Sequence, residues 1–265
     1  CNWNGYNGIY LSYCSDVTIA NNTCSNNKWG VYLYNSNGNT VTNNAANWGG
    51  GGVYLMASDA TLSGNRISSN TGGGLSMAGS NATLSGNTVA NNADDYGGGL
   101  SLFGSDATLS GNIIFSNTAN WDGGGLQMYR SDPTLTNNIV ADNQANAAGS
   151  GLHIVASSPR LLHTTIAHNS GGDGSGICVV NFGSNYSTVA LANTILVSHT
   201  VGITVAAGTM VTLEATLWGD GDWTNNIDWG GMGTITTGTI NVWGAPAFSH
   251  PDTGDYHLKS DSSAI

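Results

Sequence analysis

The sequence carries very little charge. Lys, Arg, Asp and Glu make up 8% of its 265 residues, about a third of the usual share. Five residues are basic, and the formal net charge is −11. Nucleic acids and anionic membranes are bound mainly through Lys and Arg, so neither is an expected partner. The same shortage of cations argues against a polyanionic polysaccharide as ligand.

Other features are missing as well. No apolar run reaches the roughly 18 residues of a membrane span, and no stretch has a helical repeat. The four cysteines show no zinc-binding spacing, so the sequence predicts no metal centre. Cys1 and Cys24 would lie on adjacent coils, either as a disulfide or as stacked thiols. Low charge, abundant Asn and a start within a repeat indicate a piece of an exported protein, extracellular or on the cell surface.

What the sequence does have is a regular internal repeat. A glycine followed by an apolar–x–apolar strand returns every 22 residues, and later every 25 or 26. A period of this size indicates a solenoid. The glycines are Gly8, Gly30, Gly52, Gly74, Gly99, Gly125, Gly151, Gly176 and Gly202.

Each repeat contains three short alternating runs separated by Gly, Asn, Ser and Asp, as in residues 74–92. Such a unit cannot bury its own apolar face, but stacked copies can. The pattern therefore predicts an all-β, right-handed, single-stranded parallel β-helix of about nine coils of 22–26 residues with three parallel sheets. We expect the solenoid over residues 1–228, and over residues 229–265 an irregular segment that caps it or packs on it.

Asparagine recurs at the turn between the second and third strands of each coil. Stacked Asn side chains hydrogen-bond along the stack, and Asn tolerates the left-handed backbone that such turns need. We interpret this column as structural. It consists of Asn22, Asn44, Asn65, Asn87, Asn112 and Asn138, and a second column follows five residues later.

Aromatic residues occupy outward positions of the first strand. They are the predicted contact surface for a ligand or a partner chain, although β-propensity and ladder packing alone would also favour them. The residues are Tyr10, Tyr32, Tyr54, Tyr34, Phe103 and Tyr129. A secondary aromatic track, or a cap over an apolar corner, is expected in the turn before the strand from Trp29, Trp48, Tyr96 and Trp121.

Candidates for acid–base chemistry are few. Asp94, Asp95 and Asp122 fall in one turn and would suit glycoside hydrolysis or a calcium ion if they met across coils. Asp59, Asp106 and Asp132 share a repeat position and are expected to be turn residues. His153 points outward and is expected to be a surface residue. No catalytic residue is assigned, and calcium is the one cofactor considered.

The repeats resemble the right-handed parallel β-helix superfamily, which includes pectate lyases and bacterial surface proteins. Asn22 and Cys24, leading to Gly30-Val31-Tyr32-Leu33, are similar to repeats of periplasmic carbohydrate-binding and sugar-hydrolase proteins. The middle coils resemble repeat-rich surface proteins of filamentous bacteria. The end, Gly254-Asp255-Tyr256-His257-Leu258, resembles the segment that closes such a domain.

Two functional hypotheses follow. The first is a structural or adhesive protein of a bacterial surface that self-assembles or binds neutral glycans through its aromatic face; its partners would be polysaccharide or other protein chains. The alternative, implied by the resemblance, is a polysaccharide lyase or glycoside hydrolase acting on a neutral or weakly charged polysaccharide. The lyase and galacturonase relatives use Lys or Arg with several carboxylates, and the sequence shows no comparable cluster.

Overall fold

A computed structural model describes residues 5–47 and 49–264. Its main sheet, which we call the first sheet, contains ten parallel strands among these residues, one for each coil. Successive strands pair in register, for example Ile9 with Val31 and Val31 with Val53. The strands are Asn7–Ser12, Trp29–Tyr34, Gly51–Met56, Leu75–Ala78, Leu100–Phe103, Leu126–Tyr129, Leu152–Val155, Ser175–Val180, Val201–Val205 and Ile227–Gly231.

The second and third sheets are ladders of shorter parallel strands. Two ten-residue strands, Thr188–Val197 and Met210–Gly219, span both and join them. The other strands of the second sheet are Thr18–Ala20, Asn39–Thr42, Ala60–Ser63, Thr83–Ser85, Thr108–Ser110, Thr134–Thr136, Arg160–Leu162 and Thr234–Thr237. Those of the third are Thr23–Ser25, Ala45–Asn47, Arg66–Ser68, Thr88–Ala90, Ile113–Phe115, Ile139–Ala141, Thr165–Ala167 and Asn241–Gly244.

A small side ladder lies in the turn before the first sheet. It pairs Ala93–Tyr96 with Thr118–Asp122 and then Gln144–Ala145. Helix is limited, in the part of the chain that is described, to two short 3₁₀ turns, Gly221–Trp223 and Pro251–Thr253. The predicted right-handed parallel β-solenoid of about nine coils is therefore confirmed.

The inward side chains form one continuous apolar core. Leu33, Leu62 and Ile67 come from the three sheets, and each is fully buried. Because side chains alternate across a strand, one apolar–x–apolar run supplies two of these positions per coil. Stacking in register then places Leu, Val, Ile or Met against one another from coil to coil.

The asparagine column closes the turns of the solenoid. Asn87 Nδ2 donates to Asn112 Oδ1 at 2.9 Å, and Asn112 Nδ2 donates to Asn138 Oδ1 at 3.0 Å. The same oxygen of Asn112 accepts the backbone N–H of Asn87, while its Nδ2 also reaches the carbonyl of Leu84. One side chain thus satisfies buried groups on the coils before and after its own.

The strand ladder continues past the boundary expected at residue 228. Ile227–Gly231, Thr234–Thr237 and Asn241–Gly244 all pair in parallel with the preceding coil. This last coil lacks the glycine of the repeat, so the sequence pattern did not reveal it.

After the last coil the chain returns along the outside of the third sheet. Phe248–His250 and Asp255–Leu258 form an antiparallel hairpin. Its Phe248 and Tyr256 pack on Ala141, Ala167 and Val197 of the solenoid. The hairpin therefore covers a side of the solenoid.

Candidate functional site

The outer face of the first sheet carries two columns of side chains, because alternate residues of every strand point away from the core. The register of adjacent strands defines both columns. One runs Tyr10, Tyr32, Tyr54, Ser76, Ser101, Gln127, His153 and Cys178; the other runs Ser12, Tyr34, Met56, Ala78, Phe103, Tyr129, Val155 and Val180.

The first three members of the first column form a continuous aromatic stack. The ring centroids of Tyr10 and Tyr32 are 5.1 Å apart, and those of Tyr32 and Tyr54 are 5.0 Å apart. Trp29 stacks on Tyr54 at 4.9 Å with an interplanar angle of 22°. Tyr34 joins from the second column, with its ring centroid 6.5 Å from that of Tyr32. We call these five residues the tyrosine ladder.

Neighbouring rings of the ladder are tilted against one another, by 41° for Tyr10 and Tyr32 and by 30° for Tyr32 and Tyr54. The Tyr32 hydroxyl lies 3.7 Å from the sulfur of Met56. Burial, and then the neighbouring tyrosines, raise the pKa of Tyr32, so its hydroxyl stays protonated at neutral pH. The ladder is therefore a neutral surface with four phenols spread over three successive coils.

The other predicted aromatics form a separate group. Phe103 stacks on Tyr129 at 5.1 Å, and Phe182 meets Tyr129 edge-on at 5.4 Å. The guanidinium carbon of Arg130 lies 5.3 Å from the Tyr129 ring centroid and 5.5 Å from that of Phe182. We call these four residues the Arg130 cluster. The coil with Ser76 and Ala78 separates it from the tyrosine ladder, so the predicted face is two patches.

The secondary track is also divided. Trp29 lies over Gly51, where a β-carbon would clash with its ring, and belongs to the tyrosine ladder. Tyr96 and Trp121 lie exposed on the side ladder. Trp48 falls outside the described residues, as does Cys1, the expected partner of the buried free thiol of Cys24.

The expectation that His153 is a surface residue is wrong. His153 is 8% exposed and Cys178, on the next coil, is 4% exposed, although both point away from the core. In later coils the chain before the strand folds back over the outer face at glycines with positive φ, such as Gly97 and Gly123. Gly149, at φ 59°, lies so close to Leu152 and His153 that a β-carbon there would overlap the backbone.

Carboxylates lie over this covered part of the column. Asp122 Oδ2 is 3.8 Å from His153 Nδ1, which is buried without a hydrogen-bond partner. Asp173 accepts hydrogen bonds from the N–H and hydroxyl of Ser175 at 3.0 and 2.6 Å. The repeat pattern does not predict this group, because the turn that lies over it differs in length between coils.

Burial controls ionisation in this group. It lowers the pKa of His153 despite the attraction of Asp122 and Asp173, so the imidazole is neutral at pH 7. Burial, and then the charges of Asp173 and Asp122, raise the pKa of Cys178 to about 12. A buried protonated thiol is a poor nucleophile, and the group is closed rather than catalytic.

The acidic residues considered for chemistry are dispersed. Asp59 accepts the N–H of Asn81 at 2.6 Å, and Asp106 accepts that of Asp132 at 2.7 Å, as turn residues do. Burial raises the pKa of Asp94. Over residues 5–47 and 49–264, no three His, Cys, Asp or Glu side chains are grouped to hold a metal ion. Calcium therefore remains a prediction without a site.

No helix within the described residues is long and apolar enough to cross a membrane.

Comparisons with known proteins identify the architecture. A family model for the right-handed beta helix region matches residues 1–94 and 29–195. Among solved structures, pectate lyase Pel9A superposes with a TM-score of 0.50 at 12% identity, over 96% of this chain and 79% of that one. This likeness shows the fold alone. A hyper-glycosylated TibA fragment reaches a TM-score of 0.18 at 16% identity, over 91% of this chain and 99% of that one. No curated protein matches.

Proposed function

Because the chain belongs to the right-handed β-helix family, we propose that it is an exported surface protein that binds a neutral polysaccharide along the first sheet. The observation that carries this proposal is the tyrosine ladder. Its ring centroids repeat at 5.1 and 5.0 Å along the solenoid. That period is close to the length of a sugar residue, so one glycan chain lying along the stack meets equivalent groups on successive coils.

The chemistry of the ladder suits a neutral glycan. Phenol hydroxyls donate and accept hydrogen bonds, and the aromatic rings supply apolar surface to sugar C–H groups. No cation belongs to the ladder, and the net charge of −11 disfavours a polyanion. Binding should therefore change little with ionic strength.

The Arg130 cluster is a second contact patch for the same glycan chain. Phe103 is 57% exposed and Phe182 is 50% exposed, so their rings are open to solvent. A glycan long enough to cross the coil of Ser76 and Ala78 would contact both patches. This arrangement favours long polysaccharides over short oligosaccharides, because the second contact adds to the first at high effective concentration.

Retention on immobilised neutral polysaccharide, measured by affinity electrophoresis, tests the proposal. The double variant Tyr32→Ser, Tyr54→Ser should lose most of its retardation while its circular dichroism stays that of the native protein. Tyr96→Ser is the matched control, since it removes an exposed tyrosine from the side ladder. Unchanged retardation in the folded double variant would refute glycan binding by the ladder.

Light scattering of the same variants separates the glycan from a protein partner. If the tyrosine ladder joins copies of this chain, the wild type scatters as an assembly without any glycan and the double variant is smaller. The glycan proposal expects no difference in size between the two proteins.

A further inference from the structure

Another column of residues, distinct from the outer columns of the first sheet, runs along the corner that follows the third sheet. The residue after several third-sheet strands has a left-handed backbone, and the Asn and Ser residues at this position are Asn26, Ser69, Asn91, Ser116 and Ser198. Two successive coils carry Asp142 and His168 instead, at φ 55° and 54°. Ser116 and Ser198, at φ 54° and 61°, precede and follow them. Strand register makes the four residues neighbours, in the order Ser116, Asp142, His168, Ser198.

A hydrogen-bonded chain fixes the histidine. His168 Nδ1 lies 2.6 Å from Asp142 Oδ1, and the Tyr256 hydroxyl donates to Asp142 Oδ2 at 2.8 Å. Tyr256 is 3% exposed, and burial followed by its bond to Asp142 raises its pKa, so it remains a donor. Since the carboxylate only accepts, it holds the proton of His168 on Nδ1 and leaves the lone pair on Nε2.

The column lines an open groove between the solenoid and the C-terminal hairpin. The groove has a volume of about 770 Å³, and Ser116, Asp142, His168 and Ser198 all line it. The side chain of His168 is 64% exposed, so its imidazole is accessible. Trp223 and Phe115 supply apolar wall, and Asp222 and Asp252 supply negative charge.

We propose that this groove is a serine esterase site, in which Ser198 is the nucleophile, His168 the general base, and Asp142 and Tyr256 are positioning residues. Ser198 lies one coil beyond His168, on the side away from Asp142, at a coil spacing of about 4.8 Å. Nucleophile, base and carboxylate therefore follow one another in the order that acyl transfer needs. Nothing in the glycan-binding proposal depends on this site.

The reaction needs only ester and water. His168 Nε2 takes the hydroxyl proton of Ser198 as Oγ bonds to the acyl carbon, and the ester C–O bond then breaks. The alcohol leaves with the proton from His168. Water next attacks the acyl-serine with His168 again as base, and the acid leaves as Ser198 regains its proton. Asp142 stabilises the imidazolium in both steps.

The walls of the groove select the class of substrate. Asp222 and Asp252 repel an anionic ester, whereas a neutral or cationic one is accepted. The volume of about 770 Å³ holds a short acyl group and one or two sugar-sized units. The inferred substrate is a short-chain O-acyl ester of a neutral or cationic alcohol.

Covalent labelling with a fluorophosphonate, followed by peptide mapping, is the direct test. The wild type should be labelled at Ser198, and Ser198→Ala should abolish labelling. Ser69→Ala is the matched control, because Ser69 follows a third-sheet strand with the same left-handed backbone, at φ 59°, but does not line the groove. It should label like the wild type. Label on other serines at equal rate, or none at Ser198, would overturn the proposal.

Hydrolysis of p-nitrophenyl acetate assigns the remaining roles. His168→Ala should slow turnover about 100-fold or more, and added imidazole should restore part of it. Asp142→Asn should lower kcat with little change in KM, because it favours the wrong tautomer. Tyr256→Phe should lower kcat several-fold with an unchanged melting temperature. Turnover equal to wild type in Ser198→Ala, or a His168→Ala variant that imidazole does not rescue, would refute the mechanism.

Discussion

The two halves of the coil stack share one frame but differ in what they place on it. In the first three coils the outer column carries Tyr10, Tyr32 and Tyr54, and the turn between the second and third strands of each coil carries an asparagine. In the later coils the same outer column carries His153 and Cys178, covered by the preceding turn. A parallel β-helix therefore tolerates open and closed versions of one surface without a change of register.

The difference extends to the interior. The second asparagine column continues through Asn143 and Asn169, but the next coil has His199 in its place. His199 joins the second asparagine column. Its Nε2 lies 3.2 Å from Asn169 Nδ2, and its Nδ1 lies 3.2 Å from Asn225 Oδ1. Both contacts require a neutral imidazole that is protonated on Nδ1. At this one coil a group that titrates has thus replaced a permanent amide.

The largest effect is expected from interrupting the asparagine column in the early coils. Asn112→Ala leaves the N–H of Asn87 and the carbonyl of Leu84 without their partner. Buried unsatisfied groups cost about 1–3 kcal/mol each, so we expect a loss of about 4 kcal/mol in the free energy of unfolding. Denaturant unfolding at pH 7 measures it.

The control for this change is Asn81→Ala. Asn81 also accepts a backbone N–H, that of Asp106 at 2.8 Å, but in an exposed turn where water can replace it. We expect a loss under about 1 kcal/mol. Equal losses for the two variants would mean that burial of the ladder contributes nothing.

The second prediction concerns acid sensitivity of the later half. Burial lowers the pKa of His199 from 6.5 to about 4. Between these values the unfolded chain binds more protons than the folded one, so stability falls as pH falls from 6.5 towards 4. The shift corresponds to about 3 kcal/mol. Unfolding measured across this pH range should show the loss.

His199→Asn restores an amide to the second asparagine column, so its acid dependence is the most direct comparison with the wild type. The variant should keep its stability at pH 7 and lose most of the acid dependence. The exposed His163 occupies a turn beside the third sheet, so His163→Asn should leave the pH dependence unchanged. A His199→Asn variant as acid-sensitive as the wild type would contradict the assignment.

The third prediction concerns the covered part of the outer column, where His153 and Cys178 lie. Gly149→Ala puts a β-carbon against the backbone of Leu152, so the covering turn must lift. Gly104→Ala has a similar φ of 54° but no atom within 4 Å. We expect Gly149→Ala to lose about 2 kcal/mol more than Gly104→Ala. Cys178 should then react with a thiol reagent in the first variant alone, as peptide mapping can show.

These features mark how far the sequence leads. Periodicity predicted the fold and the outward direction of Tyr32 and His153 alike, because both follow from alternation along a strand. It could not predict that Tyr32 is partly exposed and His153 buried. Exposure depends on the turn before each strand, and those turns differ in length between coils.

The candidate sites show the same limit. The tyrosine ladder comes from one repeated position, so the sequence revealed it. Phe182 and Tyr256 come from segments outside the repeat, and they reach their partners only through the folded chain. Asp142 and His168 depart from the Asn and Ser of the same column, and a pattern of repeated residues does not single out such departures.

The smallest effect is expected where the open and closed halves meet. Arg130 lies over the rings of Tyr129 and Phe182, and an exposed cation–π contact contributes about 0.5–1 kcal/mol. Arg130→Gln should lower stability by that amount, whereas Arg66→Gln, at an exposed third-sheet position, should not. Phe182 belongs to a turn held by two backbone hydrogen bonds to Asn185. Without Arg130 that turn should be cut faster by chymotrypsin at Phe182, and an unchanged cleavage rate would show that the aromatic rings alone hold it against the first sheet.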